Sequence, residues 1–152
     1  MGNILNEVFE DFIIALNKHD VEYIVVGGYS VILHGYFRTT GDLDLWVNST
    51  LENYKKLVEA FLEFGLPIFD MTEENFSSNP DFDVFSFGRP PVSIDILTKL
   101  KGLEFDASFT HASFIKVDGI DVRLIDYRDL IKAKKAAGRN KDLDDLENLE
   151  KE

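Results

Sequence analysis

Three features of the chain predict an α+β domain built on a mixed or antiparallel sheet flanked by helices. Amphipathic helical stripes and short apolar β runs follow one another without the strict alternation of a doubly wound fold. Two β-type runs meet at Asp118-Gly119, a hairpin signal that implies antiparallel pairing. The 152 residues amount to one domain, since domains cluster near ~100–150 residues. A hydrophobic share of 45% with 13 Phe supplies one core and disfavours disorder. Residues 1–152 are therefore expected to form a single domain.

The elements follow in order. Ile4, Leu5, Val8, Phe9, Phe12, Ile13 and Leu16 recur at spacings of three and four, which predicts a helix over Ile4–Lys18 with Asn3 as N-cap. Tyr23–Val26 is an apolar run closed by Gly27-Gly28, a buried strand entering a tight turn, and Tyr29–His34 reads as a short helix. Leu43–Val47 reads as a second strand. Ser49 with Glu52 forms a capping-box pattern for a helix carrying Leu51, Tyr54, Leu57, Val58, Phe61 and Leu62, which stops at Gly65 before Pro67. Asp70–Asp81 is polar, punctuated by Asn79-Pro80, and is expected to be a loop. Val84–Phe87 and Val92–Leu97 read as strands around Gly88-Arg89-Pro90-Pro91, and Ser113–Val117 with Ile120–Leu124 as the hairpin. Asp126 caps a helix running to Gly138, and Asp142 caps a last short acidic one.

Composition removes several chemistries. With no Cys, a disulfide framework, a thiolate metal site and a cysteine nucleophile are excluded, and 3 His leave little for an imidazole site. Any metal would be held by oxygen or imidazole ligands, and a His-rich zinc site is not expected. The opening MGNILNEVFEDF carries acids where a secretory leader needs basic residues, and no apolar run approaches the ~20 residues that span a bilayer. A cytosolic protein with no membrane partner is expected. The net charge of -12 argues against nonspecific adhesion to nucleic acid. Seven Lys and Arg against two acids give residues 123–141 a local +5, a basic strip that suits a compact anionic ligand.

The chemistry concentrates in IVVGGYSVILHGYFRTTGDLDLWV, residues 24–47. Asp42 and Asp44 share one face of an extended strand, roughly 6.5 Å apart at the backbone, while Leu43 and Leu45 take the other face. Two carboxylates so placed can converge on a cation; the alternative is a plain surface strand. Asp95 lies between Ile94 and Ile96 in a predicted strand, where an unpaired charge is costly to bury. Sharing a face with Asp42 and Asp44, it would complete a site for two Mg²⁺ ions ~3.5–4 Å apart; pairing with Arg89 or Lys99 is the alternative. Gly27-Gly28 lets backbone N–H groups approach a phosphate, with the Ser30 hydroxyl nearby, although a tight turn alone also explains the glycines. Neither GxGxxG nor GxxxxGK[ST] occurs, so Rossmann and Walker-type sites have no support.

This pattern of GG, HG, R-x-T-G-D-L-D-L-W-V and S-I-D-I-L resembles the DNA polymerase β-type nucleotidyltransferase superfamily, in particular its minimal and AbiEii-like bacterial and archaeal members. The likeness continues into DLIKAKKAAGRNKDLDDLENL. It implies a palm-like mixed sheet, a nucleotide-binding turn at Gly27, Gly28 and Ser30, and metal-binding catalytic acids Asp42, Asp44 and Asp95 holding Mg²⁺, with Mn²⁺ as the alternative ion. It further implies transfer of an NMP group from an NTP, ATP included, with release of pyrophosphate. Relatives modify antibiotics, tRNA ends and proteins, so the acceptor class (small molecule, tRNA or protein) stays open. The second functional reading is a noncatalytic nucleotide-binding partner or regulator of the toxin-antitoxin type on the same fold. The short chain leaves little room for an acceptor domain, which keeps a protein partner or a homo-oligomer open.

Two further groups are candidates for the nucleotide. Arg38 can contact phosphate or acceptor, with His34 a polar helix-end group beside it. Arg128, Lys132, Lys135 and Arg139 follow spacings of four, three and four, which aligns them on one helix face. The stripe, with Lys132 and Lys135 at its centre, is expected to face the acids and bind the triphosphate; a solvated face is the alternative. His111 carries no chemical signal.

Overall fold

The computed structural model describes residues 4–89 and 92–150, so Asn3 and the Pro90-Pro91 turn lie outside the described residues. Helix α1 (Glu7–Lys18) starts later than its apolar periodicity, because the N-cap is Asn6 rather than Asn3: Asn6 Oδ1 accepts from the Phe9 N–H at 2.9 Å. Strand β1 (Tyr23–Val26) runs directly into the short helix α2 (Gly27–Leu33), and β2 (Asp42–Val47) follows. Thr50 replaces Ser49 as the cap of α3 (Leu51–Phe64), since its side chain accepts from the Asn53 N–H. Asn53 then turns inward, accepting from the Glu22 N–H and donating to the Glu22 and Asn48 carbonyls, which ties α3 to the ends of β1 and β2.

The expected loop at Asp70–Asp81 contains a helical turn, α4 (Glu73–Ser77), capped by Thr72 and pinned by Phe76, which is buried between Tyr54 and Phe85. Next come β3 (Val84–Arg89), two residues longer than its apolar run, and β4 (Val92–Leu97). Helix α5 (Phe105–His111) was not expected. The hairpin β5 (Ser113–Val117) and β6 (Ile120–Leu124) has the expected bounds, with Asp118 and Gly119 at positive φ in the turn. Asp126 caps α6 (Tyr127–Ala137), and Gly138 ends it in the left-handed conformation. In α7 (Asn140–Leu149), Arg139 rather than Asp142 is the cap residue. Asp142 sits in the first turn, where its carboxylate accepts from the Arg139 N–H.

The six strands form one mixed sheet in the order β3-β4-β2-β1-β6-β5. The β2–β4 and β1–β6 pairs are parallel, and the other three are antiparallel. Alternation gives the sheet two buried faces. Leu43, Leu45, Val47, Ile94, Ile96, Phe85 and Phe87 join a large core with α1, α3 and α4, where Phe12 and Phe61 meet edge to face. Ile24, Val26, Trp46 and Leu124 pack on the second face against Leu130, Ile131, Leu146 and Leu149 of α6 and α7, while Phe105 of α5 covers Trp46. Asp42 and Asp44 alternate with Leu43 and Leu45, so they point to this second side. Among the described residues, no helix is long and apolar enough to cross a membrane.

Candidate active site

The acids owe their meeting to strand register. In the parallel β2–β4 pair, Asp44 is the Cα partner of Asp95 and Asp42 that of Ser93, and in-register neighbours project from the same side of a sheet. The register sets the Asp44 carboxyl beside that of Asp95. Asp42 Oδ1 accepts from Ser93 Oγ at 2.6 Å. Asp44 is pushed up from 3.8 to about 7, first by burial, then by the neighbouring Asp95, then by Asp42, with Lys141 pulling the other way. Among the described residues Asp95 makes no ion pair with Arg89 or Lys99.

The glycine turn abuts these acids. Gly27 has φ +69°, and a Cβ built on it would stand 1.9 Å from Asp44 Oδ2, so only glycine lets this backbone rest on the carboxylate. Gly28 serves a second close approach, with Thr40 Oγ1 2.8 Å and Arg38 Nη2 3.1 Å from the place its Cβ would take. Ser30 is fully buried and its Oγ donates to the Gly27 carbonyl at 2.6 Å. Its hydroxyl therefore shapes the turn rather than facing the cleft. Arg38 is held by Asp145, through Nε at 3.0 Å and Nη2 at 3.2 Å. His34 ends α2, with Nε2 2.7 Å from the Ile125 carbonyl.

A cleft of about 260 Å³ opens over the acids. Gly27, Asp42, Asp44 and Asp95 form one wall, and Lys134, Arg139, Lys141 and Asp142 another; Leu97, Leu100, Ile125 and Leu130 supply apolar surface. The basic stripe does not face the acids as the sequence predicts. Leu130, Ala133, Lys134 and Ala137 line the cleft, so Lys132 and Lys135, two residues away on a 3.6-residue turn, lie on the opposite face of α6. They and Arg128 are exposed outside the cleft, and Lys135 reaches Glu150 at 4.0 Å. Of the stripe, Arg139 alone lines the cavity. Sequence spacing missed Lys134, whose side chain is 7% exposed with Nζ 3.2 Å from Asp142 and 3.0 Å from Asp145. Asp142 also accepts from Arg139 Nε at 2.6 Å. Burial pushes Asp142 up, but the Arg139 and Lys134 hydrogen bonds and charges outweigh it and hold the carboxyl below its usual range.

The acids have the donor chemistry of a hard divalent cation, and burial with the neighbouring acids pushes the Asp44 carboxyl up to about 7. They are not drawn together on one point: among the described residues no three acids or imidazoles already form a metal-holding group. A cation bound there would favour the ionised form of Asp44.

The fold is shared with solved structures. A candidate nucleotidyltransferase of Thermotoga maritima superposes with a TM-score of 0.57 at 14% identity, covering 93% of this chain and 89% of that one. An antigenic nucleotidyltransferase-like protein of Paracoccidioides brasiliensis gives 0.57 at 16% identity, covering 93% and 74%. No curated protein sequence matches. The family model described as a nucleotidyltransferase of unknown function, DUF6036, matches residues 3–150, and the chain belongs to that family.

Proposed function

We propose that the chain is a metal-dependent nucleotidyltransferase, moving an NMP group from an NTP to an acceptor with release of pyrophosphate. The observation that carries this reading is the register pairing of Asp44 with Asp95, beside Asp42, in a cleft whose other wall is cationic. The fold family supports the same reaction class.

Asp42, Asp44 and Asp95 would hold Mg²⁺, or Mn²⁺ in its place. Bound there, the ion supplies Lewis-acid neutralisation of phosphate charge. The chain's own groups supply the rest. Asp95 takes the proton of the acceptor hydroxyl as its oxygen bonds to the α-phosphorus; the bond from that phosphorus to the α–β bridging oxygen breaks, and pyrophosphate leaves. The Gly27 backbone, bare of a side chain, leaves the phosphates access to the acids. Arg38 stays a structural tie to Asp145 in this reading, with one edge of its guanidinium beside Gly28.

Purified protein, an α-³²P-labelled NTP, Mg²⁺ and a fractionated lysate as acceptor source test the reading. Label should pass to an acceptor with stoichiometric pyrophosphate, and Asp44→Asn should abolish both. Nucleotide binding without transfer in any fraction would favour the noncatalytic nucleotide-binding partner.

A further inference from the structure

The cationic wall of the cleft divides into committed and uncommitted charges. Lys134 and Arg139 are both engaged by Asp142, and Asp142 is fully buried beneath them. Lys141, the residue before Asp142 in the first turn of α7, lines the same cavity but is exposed, with no ion-pair partner among the described residues. A buried carboxylate that bridges two cations on different segments fixes the turn between α6 and α7, and with it the direction in which Lys141 projects.

We infer that Lys141 is the cation that contacts the triphosphate, and that Asp142, through its bridge from Lys134 to Arg139, is the positioning residue that holds Lys141 on the cleft wall opposite Asp44 and Asp95. This deepens the functional reading above and rests on it. Three carboxylates on a chain of net charge -12 repel a polyanion unless a local cation offsets them. Lys141 is free to do so without breaking an existing pair, which Lys134 and Arg139 are not. The field that Lys141 exerts on Asp44 is consistent with that placement.

The test is calorimetric binding of inorganic tripolyphosphate with Mg²⁺ to the full chain at low salt. Lys141→Ala should weaken binding roughly ten-fold, the loss expected of one charged contact, and Lys141→Arg should restore most of it. The double variant Lys132→Ala/Lys135→Ala removes more charge from the outward face of the neighbouring helix and should change the affinity less than about two-fold if placement matters more than net charge. Asp142→Asn should weaken binding at least as much as Lys141→Ala, with little further loss when the two are combined. Because Asp142→Asn risks unfolding, the comparison of Lys141→Ala with the outward-face pair stands as a test without it. Wild-type affinity in Lys141→Ala, equal losses in Lys141→Ala and the outward-face pair, or absence of tripolyphosphate binding would each overturn the inference. Mg²⁺-dependent stabilisation that vanishes in Asp44→Asn belongs to the acids and needs no Lys141. If that stabilisation persists while Lys141→Ala is silent, the inference fails alone; if neither ion nor tripolyphosphate binds, the functional reading fails with it.

Discussion

Asp44 and Asp95 are Cα partners on adjacent parallel strands, and both half-buried carboxyls line the same cleft. Neighbouring carboxyls cannot both ionise cheaply, and with burial this pushes Asp44 up to about 7.

The first expected outcome is a pH dependence of stability. The Asp44 carboxyl rises from 3.8 to about 7 in the fold, so the folded chain holds a proton that the unfolded chain has lost. Stability from this source is full below the unfolded value and is lost as pH rises through about 7. Asp44→Asn cannot ionise, so in metal-free buffer it should gain on wild type by roughly 1 kcal/mol or more between pH 5 and pH 8. Urea denaturation of both proteins at the two pH values checks this, and a difference that does not change with pH contradicts it.

Gly27→Ala should be severe. Its methyl group would collide with Asp44 Oδ2, and a φ of +69° costs a residue with a Cβ about 1–2 kcal/mol before any clash. The variant should lose stability in denaturation and lose Mg²⁺-dependent stabilisation in the same sample. Gly119→Ala also has positive φ but meets nothing within 4 Å, so it should lose stability alone and keep the cation response.

Lys134→Met should cost about 3–5 kcal/mol, because it removes the buried ammonium that Asp142 and Asp145 share. Lys132→Met, two residues away and exposed, should stay within about 0.5 kcal/mol. Equal effects of the two substitutions in urea denaturation would contradict the burial of Lys134.

The contrast between these lysines also marks where the sequence stops being informative. The acids were legible because Asp42 and Asp44 alternate with Leu43 and Leu45, and Asp95 sits between Ile94 and Ile96; alternation sets each strand's faces, and the β2–β4 register then brings Asp95 to the side of Asp42 and Asp44. The same local logic aligned Arg128, Lys132, Lys135 and Arg139, but helix spacing defines a face without saying what that face meets. The buried face of α6 contains Lys134, tolerable only because Asp142 and Asp145 arrive from the next helix. Helix α5 was missed because FDASFTH has a weak apolar stripe, and its contact with the second core is made by Phe105 on Trp46 together with Phe109. Asn6 and Thr50 displaced the expected caps by choices that only the backbone path decides.

The central claim is that Asp42, Asp44 and Asp95 form a divalent-cation site that serves a nucleotide. Electron paramagnetic resonance of free Mn²⁺, titrated with protein in the presence of a nonhydrolysable NTP, measures it directly. Two Mn²⁺ should bind per chain with the nucleotide, and both should be lost in an Asp44→Asn/Asp95→Asn variant that still folds. Mn²⁺ binding that is absent from the wild type, or unchanged in that variant, would contradict it.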